Sequence, residues 1–419
     1  MRTENHLPSA VLLDSGGGWL GDGGGGCLIF SKPEFTIFST PGGAVLEGGG
    51  KRLEISGDPV REMEKLTSGG YVAVGFFGYE YLENTDDGMP LARSPRRKKT
   101  GAVPPPAVNF HFYPETSVSR SAEIPERMLP HSGNGGSGFS ARCRSPVSSG
   151  GPQGDRFVKN VEKIKSHIRD GDVYQVNISE MWKIPPPQNP YSLFLSLFRS
   201  QPVPFASYMD FGRFQFLSGS MELFLAKSGD SIVSRPIKGT ARRGANPEED
   251  LRMKGALSGN EKEKAEILMI TDLVRNDLSR ICVPSTVCAD KVFGIKRYET
   301  LFHMESEVRG TLREEISLEE IIKKTFPPGS VTGAPKTNAL RIIDALEPHP
   351  RGPYCGAAGV FYPNGDFCLS VSIRCLQISD GDAVCWSGAG VVWDSDAGRE
   401  FEEIKLKLKA LENSAAGGD

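Results

Sequence analysis

The segment Pro236-Ile237-Lys238-Gly239-Thr240 places a lysine between a proline-led extended stretch and a glycine turn. An amine held on a short, rigid loop in a partly dry pocket can lose its proton near neutral pH and attack carbon. A lysine in this context can also be a surface residue beside a turn. The rest of the sequence has to decide between a catalytic and a structural role for Lys238.

Four segments further along the chain combine glycine turns, carboxylates and a lone histidine at positions that structural needs do not explain. They are residues 266–280, 303–310, 326–336 and 388–407. Together with the pentapeptide they resemble the chorismate-utilising enzymes, strongly from about residue 157 to 411 and faintly before it. Within that family, the Pro-Ile-Lys-Gly-Thr form of the pentapeptide resembles the branch that makes 4-amino-4-deoxychorismate for folate synthesis.

Length and composition set broad limits on the class of protein. The 419 residues, 38% of them hydrophobic, are enough for one large domain or two ordinary ones. The net charge of −3 gives no sign of a nucleic-acid or membrane partner recruited by bulk electrostatics. No apolar stretch approaches the roughly 20 residues that span a bilayer, and the N-terminus lacks a signal-peptide pattern, so we expect a cytoplasmic location.

The eight cysteines show no Cys-x-x-Cys spacing and no accompanying histidine cluster. Neither a zinc site nor a redox pair is therefore indicated.

Composition divides the chain into four parts. Residues 1–130 are predicted to be a mostly β N-terminal region. Residues 131–154 are rich in Gly, Ser, Pro and Arg and cannot bury enough apolar surface to offset their ordering entropy, which predicts a linker or disordered loop. The chorismate-binding region is expected at 155–413 and a disordered tail at 414–419.

Hydrophobic periodicity predicts both helices and strands in the second half. Strands are expected at 173–179, 206–217, 231–233, 356–361, 367–377 and 383–387. Helices are expected from 157 to 170, from 261 to 281, after a possible capping box at Ser317 and Glu320, and at the C-terminus. Long antiparallel strands with outer helices imply an α+β fold, and the resemblance implies large β-sheets packed as a sandwich.

The last predicted helix has a buried stripe and a polar face beside it. The stripe consists of Phe401, Ile404, Leu408 and Leu411. Glu400, Glu403 and Lys407 follow the same rhythm one residue earlier and line a face rotated by roughly 100°. On an isolated helix these residues would form an ordinary solvent-exposed Glu to Lys pair.

The resemblance gives these side chains a different role. It implies that Glu400 and Glu403, together with Glu266 of the preceding long helix, bind magnesium, and that Lys407 contacts a substrate carboxylate. Magnesium is a hard cation that prefers oxygen ligands and keeps several waters, so carboxylates from separate helices suit it.

The resemblance also implies a set of groups around chorismate. The backbone of 329–336 precedes a predicted helix, and its N–H groups can face an anion there. Arginine offers a bidentate grip on a carboxylate, and glycines allow close approach of backbone amides. The substrate-binding set comprises Gly239, Thr240, Ser306, Thr332, Tyr354, Arg374, Gly388, Ala389, Gly390 and Lys407.

Three residues are assigned to catalysis by the same resemblance. Glu222 corresponds to the general acid, although Met221 stands where relatives commonly carry proline. Lys238 is the nucleophile at C2 of chorismate, giving a covalent intermediate that ammonia resolves at C4. His303 orients or polarises the C4 substituent, although a lone histidine is also common as a satisfied core group. No segment resembles the nucleophile turn of a glutamine amidotransferase, so a separate subunit of that kind would supply the ammonia.

Three other functions stay open at this point. One is anthranilate synthase component I, against which Lys238 argues. The others are an isochorismate synthase-type enzyme and a non-catalytic subunit that only docks the glutaminase, the latter disfavoured by retention of Glu222, Glu266, Glu400 and Glu403.

Overall fold

A computed structural model of the chain describes residues 7–21, 25–40, 43–84, 106–122 and 152–416. The strands are β1 (Ala10–Asp14), β2 (Gly26–Phe30), β3 (Phe35–Thr40), β4 (Gly43–Gly48), β5 (Lys51–Ile55), β6 (Tyr71–Phe77), β7 (Val108–Pro114), β8 (Val118–Ser121), β9 (Gln175–Ile184), β10 (Phe205–Asp210), β11 (Phe214–Ser220), β12 (Leu223–Ser228), β13 (Ser231–Arg235), β14 (Ile237–Arg242), β15 (Cys288–Arg297), β16 (Leu301–Thr311), β17 (Gly333–Ala334), β18 (Ala357–Phe361), β19 (Phe367–Val371), β20 (Cys375–Ser379) and β21 (Asp382–Val391). The helices are α1 (Pro59–Ser68), α2 (Pro152–Arg169), α3 (Pro190–Ser200), α4 (Pro247–Ser258), α5 (Glu261–Ser279), α6 (Leu318–Thr325), α7 (Lys336–Leu346) and α8 (Ala397–Ala416).

The strands form two antiparallel sheets. The first has nine strands in the order β17-β9-β21-β20-β11-β10-β1-β2-β8. The second has twelve, in the order β14-β16-β13-β12-β19-β18-β6-β7-β3-β4-β5, with β15 paired to β16. Strands from the two ends of the sequence pair directly, β1 with β10 and β6 with β18. Residues before and after the predicted linker therefore contribute to both sheets.

The two sheets pack face to face through large aromatic side chains. The ring of Phe76 in β6 contacts the rings of Phe211, Phe214 and Phe216 beside or within β11, at centroid distances of 5.5 to 5.7 Å. Helices α2, α3 and α8 cover the first sheet, while α4 and α5 pack on β14, β15 and β16 of the second. The predicted α+β sandwich with outer helices is confirmed.

Local signals for helix boundaries also hold. The Ser317 hydroxyl oxygen accepts a hydrogen bond from the Glu320 amide at 3.1 Å, so α6 begins at the predicted cap and ends before Pro327. On α8, Phe401, Ile404 and Leu408 are buried as the stripe predicts. No helix among the described residues is long and apolar enough to cross a membrane, and no disulfide joins the described cysteines.

Two boundaries differ from the sequence prediction. Most of the predicted linker falls on 123–151, which lies outside the described residues, and α2 already begins at Pro152. Helix α8 runs to Ala416, three residues into the predicted tail, and 417–419 lie outside the described residues.

Two predicted strands are each two strands. The stretch 206–217 is a hairpin of β10 and β11, whose turn uses Gly212 at a φ of +80°. The stretch 367–377 is interrupted at 372–374, where the chain leaves the second sheet after β19 and enters the first as β20. Alternation persists on both sides of the crossover, so periodicity could not reveal it. Arg374, at a φ of +49°, lies at this crossover.

Candidate active site

The pentapeptide forms the start of β14 and contains a β-bulge. Lys238 pairs with Met304 of β16, yet Thr240 pairs with the adjacent His303, so Gly239 is the extra residue. Its φ is +71°, and a Cβ there would lie 3.0 Å from Leu257 and 3.1 Å from a Glu263 carboxylate oxygen. Glycine is therefore required by both backbone conformation and space. The bulge therefore lies immediately after Lys238, which keeps its pairing with Met304.

Lys238 points into a polar cleft. Its Nζ lies 3.2 Å from the position that a Cβ on Gly390 would take, which places the amine against β21 of the opposite sheet. Its positive charge opposes the burial that raises the pKa of Glu222 and Glu263, and it contributes to the lowered pKa of Glu403. The structure thus brings Lys238 close to the predicted general acid and to carboxylates of α5 and α8, and the surface interpretation of this lysine does not fit.

Glu222 lies in the turn between β11 and β12 and is buried. Burial raises the pKa of its carboxyl to about 7, against the opposing effects of the Ser330 hydroxyl, the Lys238 charge and the Ile237 amide. A carboxyl that is partly protonated at neutral pH can donate a proton to a leaving oxygen. Its environment therefore suits the predicted role of general acid.

His303 is buried beside the bulge. Its Nδ1 lies 3.1 Å from both the Thr240 hydroxyl oxygen and the Gly239 carbonyl oxygen, and its Nε2 contacts the Met221 sulfur. Burial, together with the Arg374 and Lys407 charges, lowers its pKa to about 3, so the imidazole is neutral at physiological pH. Because a carbonyl only accepts, we place the hydrogen on Nδ1 and the lone pair on Nε2.

Four glutamates form an acidic cluster, defined here as Glu263 and Glu266 on α5 with Glu400 and Glu403 on α8. Burial and the charges of Glu266 and Glu403 raise the pKa of Glu263. Burial also raises the pKa of Glu400, with Glu403 and Glu266 adding to the effect and a 2.8 Å hydrogen bond from the Ser395 hydroxyl opposing it. The two helices therefore present carboxylates to one shared region.

Two lysine side chains partly neutralise the negative charge at the edge of the acidic cluster. Lys407 Nζ lies 2.7 Å from a Glu403 oxygen, and Lys262 Nζ lies 3.9 Å from a Glu266 oxygen. The Lys407 charge, with those of Lys238 and Lys262, lowers the pKa of Glu403 although burial opposes it.

The donor chemistry of the acidic cluster fits a hard divalent cation. Magnesium prefers oxygen ligands, and its binding would relieve the repulsion between neighbouring carboxylates. Within the described ranges, however, no three His, Cys, Asp or Glu side chains are grouped closely enough to hold a metal by themselves. Water and substrate oxygens would have to complete the coordination.

Arg374 supplies a further positive charge and lines a pocket together with Lys407. The residue is half-buried, but its Nη1 is fully buried and has no hydrogen-bond partner among the described residues. Burial lowers its pKa to about 10. A buried cation without a carboxylate partner is costly, and an anionic ligand would relieve that cost.

The glycines of β21 lie on a partly open strand edge. Gly388, Ala389 and Gly390 pair with Ser179, Ile178 and Asn177 of β9. On its other side β21 pairs with β20 only between Asp382 and Cys385. In the part of the chain that the structure describes, the edge beyond Cys385 has no strand partner on this side.

Two further predicted residues close around this edge. The Tyr354 hydroxyl lies 3.0 Å from the position of a Cβ on Gly388, and its ring stacks on Trp386 with centroids 5.9 Å apart. Lys407 Nζ donates a hydrogen bond to the Gly388 carbonyl at 3.0 Å. Tyr354, Lys407 and the glycines are thus brought together.

Ser306 and Thr332 are both fully buried but differ in their hydrogen bonds. The Ser306 hydroxyl has no partner among the described residues. The Thr332 hydroxyl lies 3.2 Å from the Pro328 carbonyl oxygen and 3.1 Å from that of Gly329, so its hydrogen is used within its own loop. The Thr332 amide also donates to the Gly329 carbonyl at 3.2 Å, so both donors of this residue are used within its own loop.

Sequence reasoning missed two residues of the site. Gln175 of β9 is buried, its Nε2 lies 2.1 Å from the Cβ position of Gly390, and its Oε1 has no partner among the described residues. No sequence signal marks it, because it reads as one residue of an alternating strand. Glu263 could have been found, since it lies three residues before Glu266 and repeats the spacing of Glu400 and Glu403.

Comparison with known proteins gives a consistent result. Residues 54–413 match the family described as chorismate binding enzyme. Aminodeoxychorismate synthase component 1 of Bacillus subtilis is 39% identical over 260 residues, which are 62% of this chain and 55% of that protein. Anthranilate synthase component 1 of Cereibacter sphaeroides is 39% identical over 255 residues, covering 61% and 51%. The chain therefore spans about half the length of the curated relatives it matches.

Solved structures agree on the fold. Anthranilate synthase component I from Streptococcus pneumoniae superposes with a TM-score of 0.72 at 26% identity and covers 92% of this chain and 91% of its own. The menaquinone-specific isochorismate synthase from Escherichia coli gives 0.66 at 16% identity, covering 92% and 89%, which shows the fold alone. Since the family match extends over most of the sequence, the chain belongs to the chorismate binding enzyme family.

Proposed function

We propose that the protein aminates chorismate at C4 with ammonia to give 4-amino-4-deoxychorismate, the precursor of para-aminobenzoate and folate. The observation that carries the proposal is the position of Lys238, which immediately precedes the β-bulge of β14, lies against Gly390 and is electrostatically coupled to Glu222. A nucleophile beside a carboxyl that is partly protonated at neutral pH is the arrangement that displacement of an allylic hydroxyl requires.

The two carboxylates of chorismate suit the two sides of the cleft. The unpartnered guanidinium of Arg374, the open edge at Gly388 to Gly390 and Tyr354 would receive one carboxylate. The ring carboxylate would face the acidic cluster, where magnesium held by Glu266, Glu400 and Glu403 would neutralise it and draw electrons from the ring. The mutual repulsion of those glutamates supports a cation there.

The reaction then needs one acid and one nucleophile. Glu222 donates its proton to the 4-hydroxyl, the C4–O bond breaks and water leaves. The Glu222 carboxylate so formed takes a proton from the Lys238 ammonium, and the freed amine attacks C2 as the ring double bonds shift, forming a C2–N bond whose nitrogen keeps its remaining surplus proton. Ammonia then bonds to C4 while the C2–N bond breaks, which releases Lys238 and 4-amino-4-deoxychorismate.

His303 supports this chemistry through the backbone of the pentapeptide. Its Nδ1–H donates to the Gly239 carbonyl, and the same nitrogen lies beside the Thr240 hydroxyl, so the imidazole holds the bulge that aims Lys238. Direct polarisation of the C4 substituent would require Nε2 to turn away from the Met221 sulfur.

Ammonia in this proposal comes from a separate glutamine amidotransferase subunit, and the expected location is the cytoplasm. The isolated chain should use ammonium salts but not glutamine. Substantial activity with glutamine alone would contradict the separate subunit.

Anthranilate synthesis is the second candidate, because relatives with that name are as similar to this chain as the aminodeoxychorismate synthase. It would require ammonia to add at C2 and pyruvate to leave. A lysine whose amine occupies the C2 side of the cleft obstructs that addition. Anthranilate is also aromatic and fluorescent, so the two products are easily told apart.

Mass spectrometry of the product tests the proposal. The chain is incubated with chorismate, magnesium and ammonium, in parallel with Lys238→Ala. We expect 4-amino-4-deoxychorismate from the unmodified chain and none from the variant. Anthranilate with pyruvate, or isochorismate, from the unmodified chain would refute the proposed reaction.

A further inference from the structure

A second buried arginine, Arg351, lies behind the site and has no exposed surface. Its Nε and Nη2 donate to the two carboxylate oxygens of Glu347 at 2.9 and 2.6 Å. Nη2 also donates to the Asn177 carbonyl at 2.7 Å, and Nη1 donates to the Val331 carbonyl at 2.9 Å. The guanidinium carbon lies 4.5 Å from the centre of the Tyr79 ring. Each guanidinium nitrogen therefore has an acceptor within the protein.

Glu347 completes the pair on the other side. One of its carboxylate oxygens accepts hydrogen bonds from both the amide and the hydroxyl of Ser179, each at 2.8 Å. The adjacent carboxylate neutralises the Arg351 charge. Four of the five N–H donors of Arg351 are used on protein acceptors and its charge is balanced by Glu347, so we take its contribution to be geometric.

The backbone anchors of this pair all adjoin the proposed chorismate site. Asn177 and Ser179 lie opposite Gly390 and Gly388 in the pairing of β9 with β21. Val331 immediately precedes Thr332, and Arg351 comes three residues before Tyr354 in the chain. One guanidinium thus joins the strand behind the glycines, the loop before α7 and the segment that carries Tyr354.

The backbone of Arg351 is fixed as firmly as its side chain. The Arg351 and Gly352 amides donate to the two oxygens of Glu80 at 2.7 and 2.9 Å. Gln377 Nε2 donates to the Arg351 carbonyl at 2.9 Å. A planar guanidinium can hold several acceptors in set directions at once, which a lysine ammonium cannot reproduce.

We propose that Arg351, together with Glu347, is a positioning residue that sets the affinity for chorismate by fixing the backbone of β9 and of the loop at Val331 against Gly388, Gly390 and Tyr354. The inference rests on the proposed binding of chorismate at this edge. Lys238 lies on β14 and Glu222 lies in the turn between β11 and β12, whereas the hydrogen bonds of the pair go to β9 and to the loop at Val331. Loosening the pair should therefore weaken substrate binding while leaving the chemical step nearly intact.

Arg351→Lys tests the positioning role, because lysine keeps the positive charge but lacks the planar guanidinium with its fixed donor directions. We expect the KM for chorismate to rise about tenfold or more while kcat stays within about threefold. Arg156→Lys is the matched control. Arg156 pairs with buried Glu180, the residue after Ser179 on β9, but it reaches neither the loop nor Tyr354. The KM of Arg156→Lys for chorismate should stay within about twofold of that of the unmodified chain.

Ser179→Ala is the milder second variant. It removes one hydrogen bond to Glu347 and leaves the guanidinium in place, so it should fold even if Arg351→Lys does not. We expect its KM to rise about threefold with kcat unchanged. An unchanged KM in both folded variants, a kcat loss larger than the KM rise, or an equal KM rise in Arg156→Lys would overturn the inference.

Calorimetric titration with chorismate separates this inference from the proposed function. Binding is measured in the Lys238→Ala background, where no turnover is expected, with and without Arg351→Lys. A dissociation constant that Arg351→Lys makes about tenfold larger supports the positioning role, whatever product the unmodified chain makes. Equal dissociation constants would overturn it.

Discussion

Two arginines at the proposed chorismate site, the buried Arg351 and the half-buried Arg374, show that the same side chain can have a structural or a ligand-binding role. Arg351 has an acceptor for each guanidinium nitrogen and a carboxylate against its charge. Arg374 has a buried Nη1 with no partner in the described chain, and burial lowers its pKa to about 10. A closed polar network specifies shape, whereas an open one retains binding capacity for a ligand.

The same contrast extends to the neighbours of each arginine. Around Arg351, Glu347 and Ser179 use their hydrogen-bonding groups on one another. In the open region, defined here by Arg374, Gln175 and Ser306, the Gln175 side-chain oxygen and the Ser306 hydroxyl have no hydrogen-bond partners among the described residues. Substitutions in the open region should therefore cost activity with little loss of stability, whereas substitutions in the closed region should cost stability as well as substrate affinity.

Lys238→Ala should produce the largest effect in the open region. We expect amination to fall by about 10³-fold or more, because the nucleophile is removed, with the Tm nearly unchanged. Steady-state kinetics and thermal melts measure both. Lys227→Ala on β12 is the control, since this lysine donates to the Gly365 carbonyl away from the cleft. Amination that survives in Lys238→Ala would remove the lysine from the mechanism.

Glu347→Gln should produce the largest effect in the closed region. Removing one partner of a buried ion pair leaves Arg351 uncompensated, which should lower the free energy of unfolding by about 3–5 kcal/mol. Urea unfolding at neutral pH gives this value. Glu62→Gln, which breaks only the exposed pair with Lys65, should cost less than about 1 kcal/mol. Equal losses in the two variants would show that the Arg351 network is not a stabilising unit.

Arg374→Met sharpens the comparison from the other side. We expect the KM for chorismate to rise about 100-fold, because a charge-assisted grip on a carboxylate is lost. Stability should stay the same or increase, since the variant removes a buried cation that lacks a carboxylate partner. A loss of stability as large as that of Glu347→Gln would mean that Arg374 has a structural role after all.

The pH dependence of stability gives a smaller effect at Glu222. Burial raises its folded pKa from 4.5 to about 7, so the folded state holds this proton more tightly than the unfolded state does. As pH rises from about 4.5 to 7, the unmodified chain should therefore lose stability relative to Glu222→Gln, by on the order of 2 kcal/mol. Urea unfolding of both proteins across this range checks the sign. A difference that is flat with pH would contradict the raised pKa.

Local features were predictable from sequence because neighbouring residues determine them. The stripe of Phe401, Ile404 and Leu408 and the Ser317 cap depend only on helical spacing and on one side chain reaching a nearby amide. Alternation found most strands, although it merged β10 with β11 and β19 with β20. The signal for the crossover at Arg374 is three-dimensional, since consecutive strands enter different sheets.

The site was predictable in part and for a similar reason. Resemblance named Lys238, Arg374 and the glycines, and the structure brings them to one cleft. The Arg351 network stayed invisible, because Arg351 meets Asn177 across 174 residues of sequence. Gln175 was also missed, because its Nε2 fills the space that a side chain on Gly390 of the neighbouring strand β21 would take.

Trapping the covalent intermediate tests the central claim most directly. The chain is mixed with chorismate and magnesium without ammonia, and the intact mass is measured after rapid quenching. The proposed mechanism predicts a mass increase equal to chorismate less one water, located on Lys238 and absent from Lys238→Ala. No adduct on the unmodified chain while added ammonium still yields 4-amino-4-deoxychorismate, or an equal adduct on the variant, would contradict covalent catalysis by Lys238.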